Sequence, residues 1–244
     1  MNNYDLTILV PVYNERNRLD AGLRDILALM EQAPFSTELL VVDDGSTDGT
    51  AVRVAETIEG RDDCRLIEIP ENRGKGHAVK VGMLAAAGDV RLFTDIDLSV
   101  PIDRAADFLR RCQAGADVVI GTRKVAASQV TVHQPRHRAM LGEVFRRTTR
   151  WLFTPGLSDI TCGFKAFRAA AAESLYDQSV INRWSFDAEI LFLALRYDLK
   201  IEEVPVLWEN NPETKVRLVI DLPRSLLELL RVRWRWARGG YRAP

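Results

Sequence analysis

From residue 6 to residue 120, short apolar runs alternate with segments of helical spacing, and that alternation leaves few folds open. Residues 6–10 form an apolar run stopped by Pro11, and residues 16–31 then carry Leu19, Leu23, Ile26, Leu27 and Met30 on one helical stripe. Residues 38–42 repeat the strand pattern and end in Asp43, Asp44, Gly45 and Ser46, after which Asp48 is placed to cap a helix running to about Ile58. The unit recurs as a strand over 65–69, a helix over 76–87, a strand over 90–94, a helix over 101–111 and a strand over 117–120. Runs that are apolar on both faces and joined by helices specify an α/β fold, here a Rossmann-like, mostly parallel, doubly wound sheet with helices on both faces.

The rhythm changes over residues 125–160, where a helix is predicted for 138–153. It is followed by the segment 163–168, a helix over 186–197, a strand over 201–205 and a basic amphipathic C-terminal helix from about 222 to 235. With no internal repeat or linker, the organisation expected is one domain over 1–244, with parts at 1–121, 122–221 and 222–244. At 47% hydrophobic and 27% charged residues the chain is too apolar for disorder, and 244 residues bury enough surface to fold without disulfide or structural metal. Cys64, Cys112 and Cys162 are odd in number and scattered, which excludes a disulfide framework and a zinc knuckle and points to a reducing, cytoplasmic setting. Neither a secretion signal nor a run of about 18 apolar residues is visible.

Net charge is −1, yet arginines gather in the second half. Arg136, Arg138, Arg146, Arg147 and Arg150 form one cluster, and Arg224, Arg231, Arg233, Arg235, Arg238 and Arg242 another. Such patches attract anions. Without a nucleic-acid-binding motif or an overall basic balance, nucleic acid is not the expected partner. His133 and His137 stand four apart, but Pro135 between them breaks the helical face a metal would need.

The candidate chemistry lies at strand ends. Glu15 follows the first strand, Asp43 and Asp44 end the second, and Asp95 and Asp97 follow a later one. In an open parallel sheet these ends share a crevice, where the carboxylates repel unless a cation or a ligand's donors intervene. Asp95-Ile96-Asp97 can offer hard oxygen ligands to Mg2+ or Mn2+, cations that commonly share phosphate oxygens with a nucleotide. An isolated Asp-x-Asp is also a common acidic turn. Asn72-Arg73-Gly74-Lys75-Gly76-His77 falls between a strand and a helix, where backbone amides and Lys75 suit an anion, although the spacing is neither that of a P-loop nor of a dinucleotide fingerprint.

Six segments in order carry a resemblance. They are Val10-Pro11-Val12-Tyr13-Asn14-Glu15, Val42-Asp43-Asp44-Gly45-Ser46-Thr47-Asp48-Gly49-Thr50, Asn72-Arg73-Gly74-Lys75-Gly76, Asp95-Ile96-Asp97-Leu98-Ser99, Gly121-Thr122-Arg123, and Asp159-Ile160-Thr161-Cys162-Gly163-Phe164-Lys165. Together they resemble the family 2 glycosyltransferases of the GT-A fold, and within them the dolichyl- or polyprenyl-phosphate hexosyltransferases. The resemblance implies that Pro11, Tyr13, Glu15 and Asp44 line the base and ribose, that Lys75 lies near the diphosphate, and that Asp95 and Asp97 hold Mg2+ or Mn2+. It assigns an acceptor phosphate to Arg123 and Arg138, although the serine that follows the second arginine in the family is Gly142 here. Ser99 stands where mannosyl-transferring relatives often carry Gln, which favours glucose from UDP-glucose over mannose from GDP-mannose.

An anionic phosphate acceptor needs no base, so the implied reaction is an inverting transfer to a polyprenyl or dolichyl monophosphate. With a hydroxyl acceptor, soluble or carbohydrate, Asp159 becomes the base candidate; otherwise it organises the loop before Cys162. A non-catalytic sugar-nucleotide-binding protein is the alternative of another class. Asp187 and Glu189 either belong to the family's segment before its interfacial helices or cap a helix, and Lys215 and Arg217 either reach a headgroup or face solvent. The C-terminal helix, with Leu226, Leu229, Leu230 and Trp234 or Trp236 near one face, either meets a bilayer peripherally or docks on the sheet.

Overall fold

The computed structural model describes residues 4–123, 153–208 and 218–242. Seven strands, β1 (Tyr4–Val12), β2 (Thr37–Asp43), β3 (Cys64–Glu68), β4 (Gly88–Phe93), β5 (Val118–Thr122), β6 (Lys165–Arg168) and β7 (Ile201–Pro205), form one sheet in the order β3-β2-β1-β4-β6-β5-β7. All pairings are parallel except those of β6, which runs antiparallel to both β4 and β5. This is the mostly parallel α/β sheet expected, with one strand the apolar pattern did not disclose. β6 has four residues, begins with Lys165 and ends with Arg168, and so lacks the apolar run that marked the others.

Alternate residues of each inner strand feed two cores. Ile8, Val10, Leu39 and Val41 face α1 (Arg16–Gln32), α2 (Thr50–Thr57) and α4 (Ala105–Gln113), whose Leu19, Leu23, Ile26, Val54, Phe108 and Leu109 complete that layer. Leu9, Leu40, Val42 and Phe93 face α3 (Lys75–Ala85), α5 (Ala169–Gln178), α6 (Phe186–Arg196) and α7 (Leu218–Ala237). Burial on both faces explains why these strands read as continuous apolar runs. Gly82 lets α3 lie close on β1: a Cβ there would stand 2.2 Å from Leu9 Cδ1.

Helix ends follow local chemistry. Asp48 takes the Thr50 amide (3.0 Å) and hydroxyl (2.6 Å), but it stands one residue ahead of the cap position of α2, which is Gly49 and not the Asp48 expected. The helix expected over 101–111 opens instead as a 3-10 turn, Ile102–Arg104, behind Pro101, and only then becomes α4. Helix α5 went unforeseen because its Ala-rich start shows no apolar stripe, although Ala171, Ala172, Leu175 and Tyr176 do form a buried face. The helix predicted for 138–153, with Arg138, lies outside the described residues, as do His133, His137, Lys215 and Arg217.

Candidate active site

The chain runs outward from β1 through β2 to β3 and then returns to β4 on the other side of β1. The crevice beyond the carboxyl ends of β1 and β4 is therefore the switch point at which such sheets bind ligands. Because β6 is antiparallel, the loop leading into it, residues 159–164, arrives at this same edge.

The loop after β1 is pinned to the loop after β2. Pro11 sits opposite Val42, and Tyr13 is 37% exposed at the rim. Asn14 adopts the left-handed φ of 51° that asparagine tolerates, with its amide on Ser46 Oγ (2.8 Å) and its Oδ1 accepting from the Thr47 amide (2.9 Å). Glu15 donates its amide to Thr50 Oγ1 (2.9 Å), and its carboxylate pairs with Arg18 (2.6 Å). Asp43 closes the turn, accepting from the Ser46 amide (3.0 Å) and the Ser46 hydroxyl.

Asp44 is buried and builds the neighbouring loop. Its Oδ1 accepts from the Arg73 amide (3.0 Å), and its Oδ2 accepts from Asn72 Nδ2 (2.9 Å) and the Gly74 amide (2.7 Å). Three donors to one carboxylate shape the glycine-rich segment. Gly74, at φ 108° and with the Asn182 carbonyl 2.5 Å from where a Cβ would stand, admits no side chain.

That loop delivers Lys75 at the start of α3, where Nζ lies 2.5 Å from Asp95 Oδ1 and 5.9 Å from the ring centres of both Phe93 and Trp184. Burial pulls the ammonium's pKa down, but the Asp95 and Asp187 carboxylates outweigh it and hold it above the ordinary lysine value. Asp95 is 41% exposed at its side chain and its Oδ2 faces Gly163, where a Cβ would come within 2.3 Å. Asp97 is exposed, and its Oδ1 accepts from the Ser99 amide (3.2 Å) and hydroxyl (3.0 Å). Leu98 between them holds a φ of 45°, a backbone cost of about 1–2 kcal/mol for a leucine, of the kind that collects at working sites.

Carboxylate oxygens are the donors a hard divalent cation prefers. Asp95 and Asp97 supply carboxylate oxygens only, and among the described residues no group of three or more His, Cys, Asp or Glu side chains forms a closed metal cage.

Behind this edge Lys165 and Asp187, each named from sequence but not as partners, form a buried pair. Lys165 Nζ donates to Asp187 Oδ1 (2.6 Å) and the Cys162 carbonyl (2.5 Å), and lies 5.3 Å from the Phe93 ring centre. Burial raises the Asp187 pKa, against the pull of Lys165 and then Lys75. A lysine directly after Phe164 and before Ala166-Phe167 was the available signal. Glu189, also buried, accepts from the amides of Val180 (3.0 Å) and Ile181 (2.8 Å) and from the Tyr241 hydroxyl (2.6 Å), so it joins the C-terminal segment to the loop before α6.

At the end of β5, Arg123 makes a two-pronged pair with Asp159, Nε to Oδ2 at 2.7 Å and a terminal nitrogen to Oδ1 at 2.9 Å, while its amide adds a third bond at 3.1 Å. Its guanidinium also reaches Thr161 Oγ1 (2.8 Å) and stacks 5.3 Å from the Trp208 ring centre. Burial works to raise the Asp159 pKa, but the Arg123 hydrogen bonds and charge overcome it and hold the carboxyl well below the ordinary range.

Helix α7 shows both faces that its sequence left open. Leu229 and Val232 are buried, and Trp236 packs edge-on to Phe192 at 5.7 Å. Leu226, Leu227, Leu230 and Trp234 are exposed, with Arg231, Arg235 and Arg238 also exposed around them. Among the described residues no helix is long and apolar enough to cross a membrane.

A switch-point crevice carrying an acidic pair, an anion loop and a braced arginine is the arrangement of a nucleotide-sugar transferase on the GT-A fold. The family model for glycosyl transferase family 2 matches residues 7–176, and the chain belongs to that family. It is 31% identical over 251 residues to the dolichyl-phosphate beta-glucosyltransferase of Dictyostelium discoideum, covering 98% of this chain and 77% of that one. It is 35% identical over 231 residues to the enzyme of the same name from Drosophila melanogaster, covering 87% and 69%. Among solved structures, the UDP complex of glucosyl-3-phosphoglycerate synthase from Mycobacterium tuberculosis superposes with a TM-score of 0.70 at 18% identity, over 94% of this chain and 80% of that one. The same enzyme with Mn2+, UDP and glucosyl-3-phosphoglycerate gives 0.68 at 20% identity, over 94% and 80%. At these identities the structural likeness establishes the GT-A fold.

Proposed function

We propose that this glycosyltransferase moves glucose from UDP-glucose to a dolichyl or polyprenyl monophosphate, with inversion at the anomeric carbon and with Mg2+ or Mn2+ held by Asp95 and Asp97. The observation that carries the reading is the Arg123–Asp159 pair at the same sheet edge as the acidic pair: a cation fixed for an anionic acceptor, backed by a carboxylate whose depressed pKa makes it a poor base. A hydroxyl acceptor needs a base to take its proton; a phosphate does not. The names of the relatives and the Mn2+- and UDP-bound neighbours support the same substrates.

In this reading Pro11, Tyr13, Glu15 and Asp44 line the base and ribose, Asp44 also holding the loop of residues 72–74 through the Asn72 side chain and the Arg73 and Gly74 amides, and Lys75 supplies charge to the diphosphate. A bound divalent cation neutralises the departing diphosphate. Arg123, with Arg138, orients the acceptor so that a phosphate oxygen bonds to C1 as the bond from C1 to the UDP oxygen breaks. Positioning of this kind removes much of the barrier. The exposed apolar strip of α7 and its arginines bring the domain to the surface of a membrane, where the lipid acceptor resides.

Incubation with radiolabelled UDP-glucose or GDP-mannose, Mn2+ and polyprenyl phosphate tests this, with the product extracted into organic solvent. Label from UDP-glucose in the organic phase is the expected result; label confined to water overturns the lipid acceptor, and label only from GDP-mannose overturns the sugar. Asp159→Asn is expected to raise KM for the lipid phosphate about tenfold or more, because a charge-assisted bidentate pair no longer orients Arg123. The Asp159 pKa is lowered in the folded state, so its stabilisation is present above the unfolded value and is lost only as pH falls through the folded one. Acceptor KM in the wild type should then show no titration from this pair between about pH 5 and 8. An unchanged KM in the Asp159→Asn variant sinks the assignment.

A further inference from the structure

We propose that Lys75 is a resident counterion for Asp95, which a divalent cation displaces and which then becomes the partner of the diphosphate. The inference rests on the metal reading above and goes beyond it by placing two cations in competition for one carboxylate.

Around Phe93 stand three carboxylates, Asp95, Asp97 and Asp187, and two ammonium groups, Lys75 and Lys165. Lys165 is held by Asp187 at 2.6 Å and the Cys162 carbonyl at 2.5 Å. Lys75 is therefore left to balance the Asp95 and Asp97 pair. It makes one hydrogen bond among the described residues, 2.5 Å to Asp95 Oδ1, and is otherwise bounded by the ring faces of Phe93 and Trp184. A group held by one bond on a flexible stem can leave without breaking a network.

The approach to Asp95 is closed on another side. The Oδ2 atom lies against Gly163, and Oδ1 carries the Lys75 ammonium. A divalent cation held by Asp95 and Asp97 would compete with the ammonium for the Asp95 carboxylate. The released ammonium stays at the start of α3, at the crevice edge, where an arriving diphosphate needs positive charge. When the diphosphate and cation depart, Lys75 returns to Asp95, so the acidic pair does not face itself uncompensated between turnovers. The consequence is weak cation binding before nucleotide and cooperative binding of the two.

Mn2+ affinity measured by electron paramagnetic resonance without nucleotide tests the competition directly. Lys75→Met should bind Mn2+ about tenfold or more tighter than wild type, since the competing charge is gone. At saturating Mn2+ the same variant should bind UDP about tenfold or more weaker, since the ammonium now missing is the one that meets the diphosphate. Lys75→Ala serves as a second variant, with circular dichroism verifying the fold of each. Mn2+ affinity unchanged or weakened in both variants overturns the counterion role while leaving the metal site intact. Mn2+ binding that survives Asp97→Ala in full places the cation elsewhere and overturns the metal reading together with this one.

Discussion

Replacing Asp97 with Ala should lower turnover about a thousandfold while leaving the fold and its thermal midpoint nearly unchanged. The size of the effect follows from what the residue is asked to hold: charge neutralisation of a leaving diphosphate is worth several kcal/mol, and about 4 kcal/mol corresponds to three orders of magnitude. The absence of a folding cost follows from its surroundings. Asp97 is exposed and accepts from the amide and hydroxyl of Ser99, two residues along the chain, and neither donor is buried. Turnover against Mn2+ concentration, with circular dichroism on the same samples, separates the two quantities. A variant that keeps wild-type turnover at limiting Mn2+ overturns the assignment of Asp97 to the cation.

The strand ends that frame this site were legible because their physics is local. Apolar runs buried on both faces can hardly be anything but inner strands, and a carboxylate just past such a run has to appear at the ligand edge. Asp43, Asp44, Asp95 and Asp97 accordingly stand at or just past the carboxyl ends of β2 and β4, as the apolar runs imply. What each carboxylate bonds was not legible, because the partner comes from another loop. Asp44 and Gly74 are thirty residues apart, and Arg123 and Asp159 thirty-six, and nothing in either segment announces the other.

The largest gap was β6. Four residues with a lysine and an arginine among them carry almost no strand signal, yet their insertion between β4 and β5 decides that residues 159–164 reach the site at all. Of the two readings of the C-terminal helix the structure bears out docking, through a buried stripe with Leu229 and Val232, and its twenty residues leave room for a second, exposed stripe through Leu227, Leu230 and Trp234.

The strand hidden from sequence analysis is also where the greatest loss of stability is expected. Lys165→Met should destabilise the protein by about 3–5 kcal/mol, the cost of breaking a buried ion pair by removing one partner, and lower Tm by about 10 °C. Lys165 is 1% exposed, and its ammonium ties the start of β6, through Asp187, to the first turn of α6. Methionine fills the volume but leaves Asp187 buried with only the more distant Lys75 to offset it. The Asp187 pKa, already raised by burial, should then rise further. For a carboxyl raised in the folded state, stability is fully present below the unfolded value and is lost as pH rises through the folded one. The deficit of the variant relative to wild type should therefore be small near pH 4 and grow toward pH 8. Adding Asp187→Leu removes the stranded charge and should recover most of the loss, with the pH dependence gone. Urea unfolding of the three proteins at several pH values measures this, and a deficit that is flat with pH, or a double variant no better than the single, contradicts the pairing as its cause. Because Asp187 also contributes to the field at Lys75, the double variant should be stable yet hold its ammonium less firmly, which separates what this buried pair does for the fold from what it does for the site.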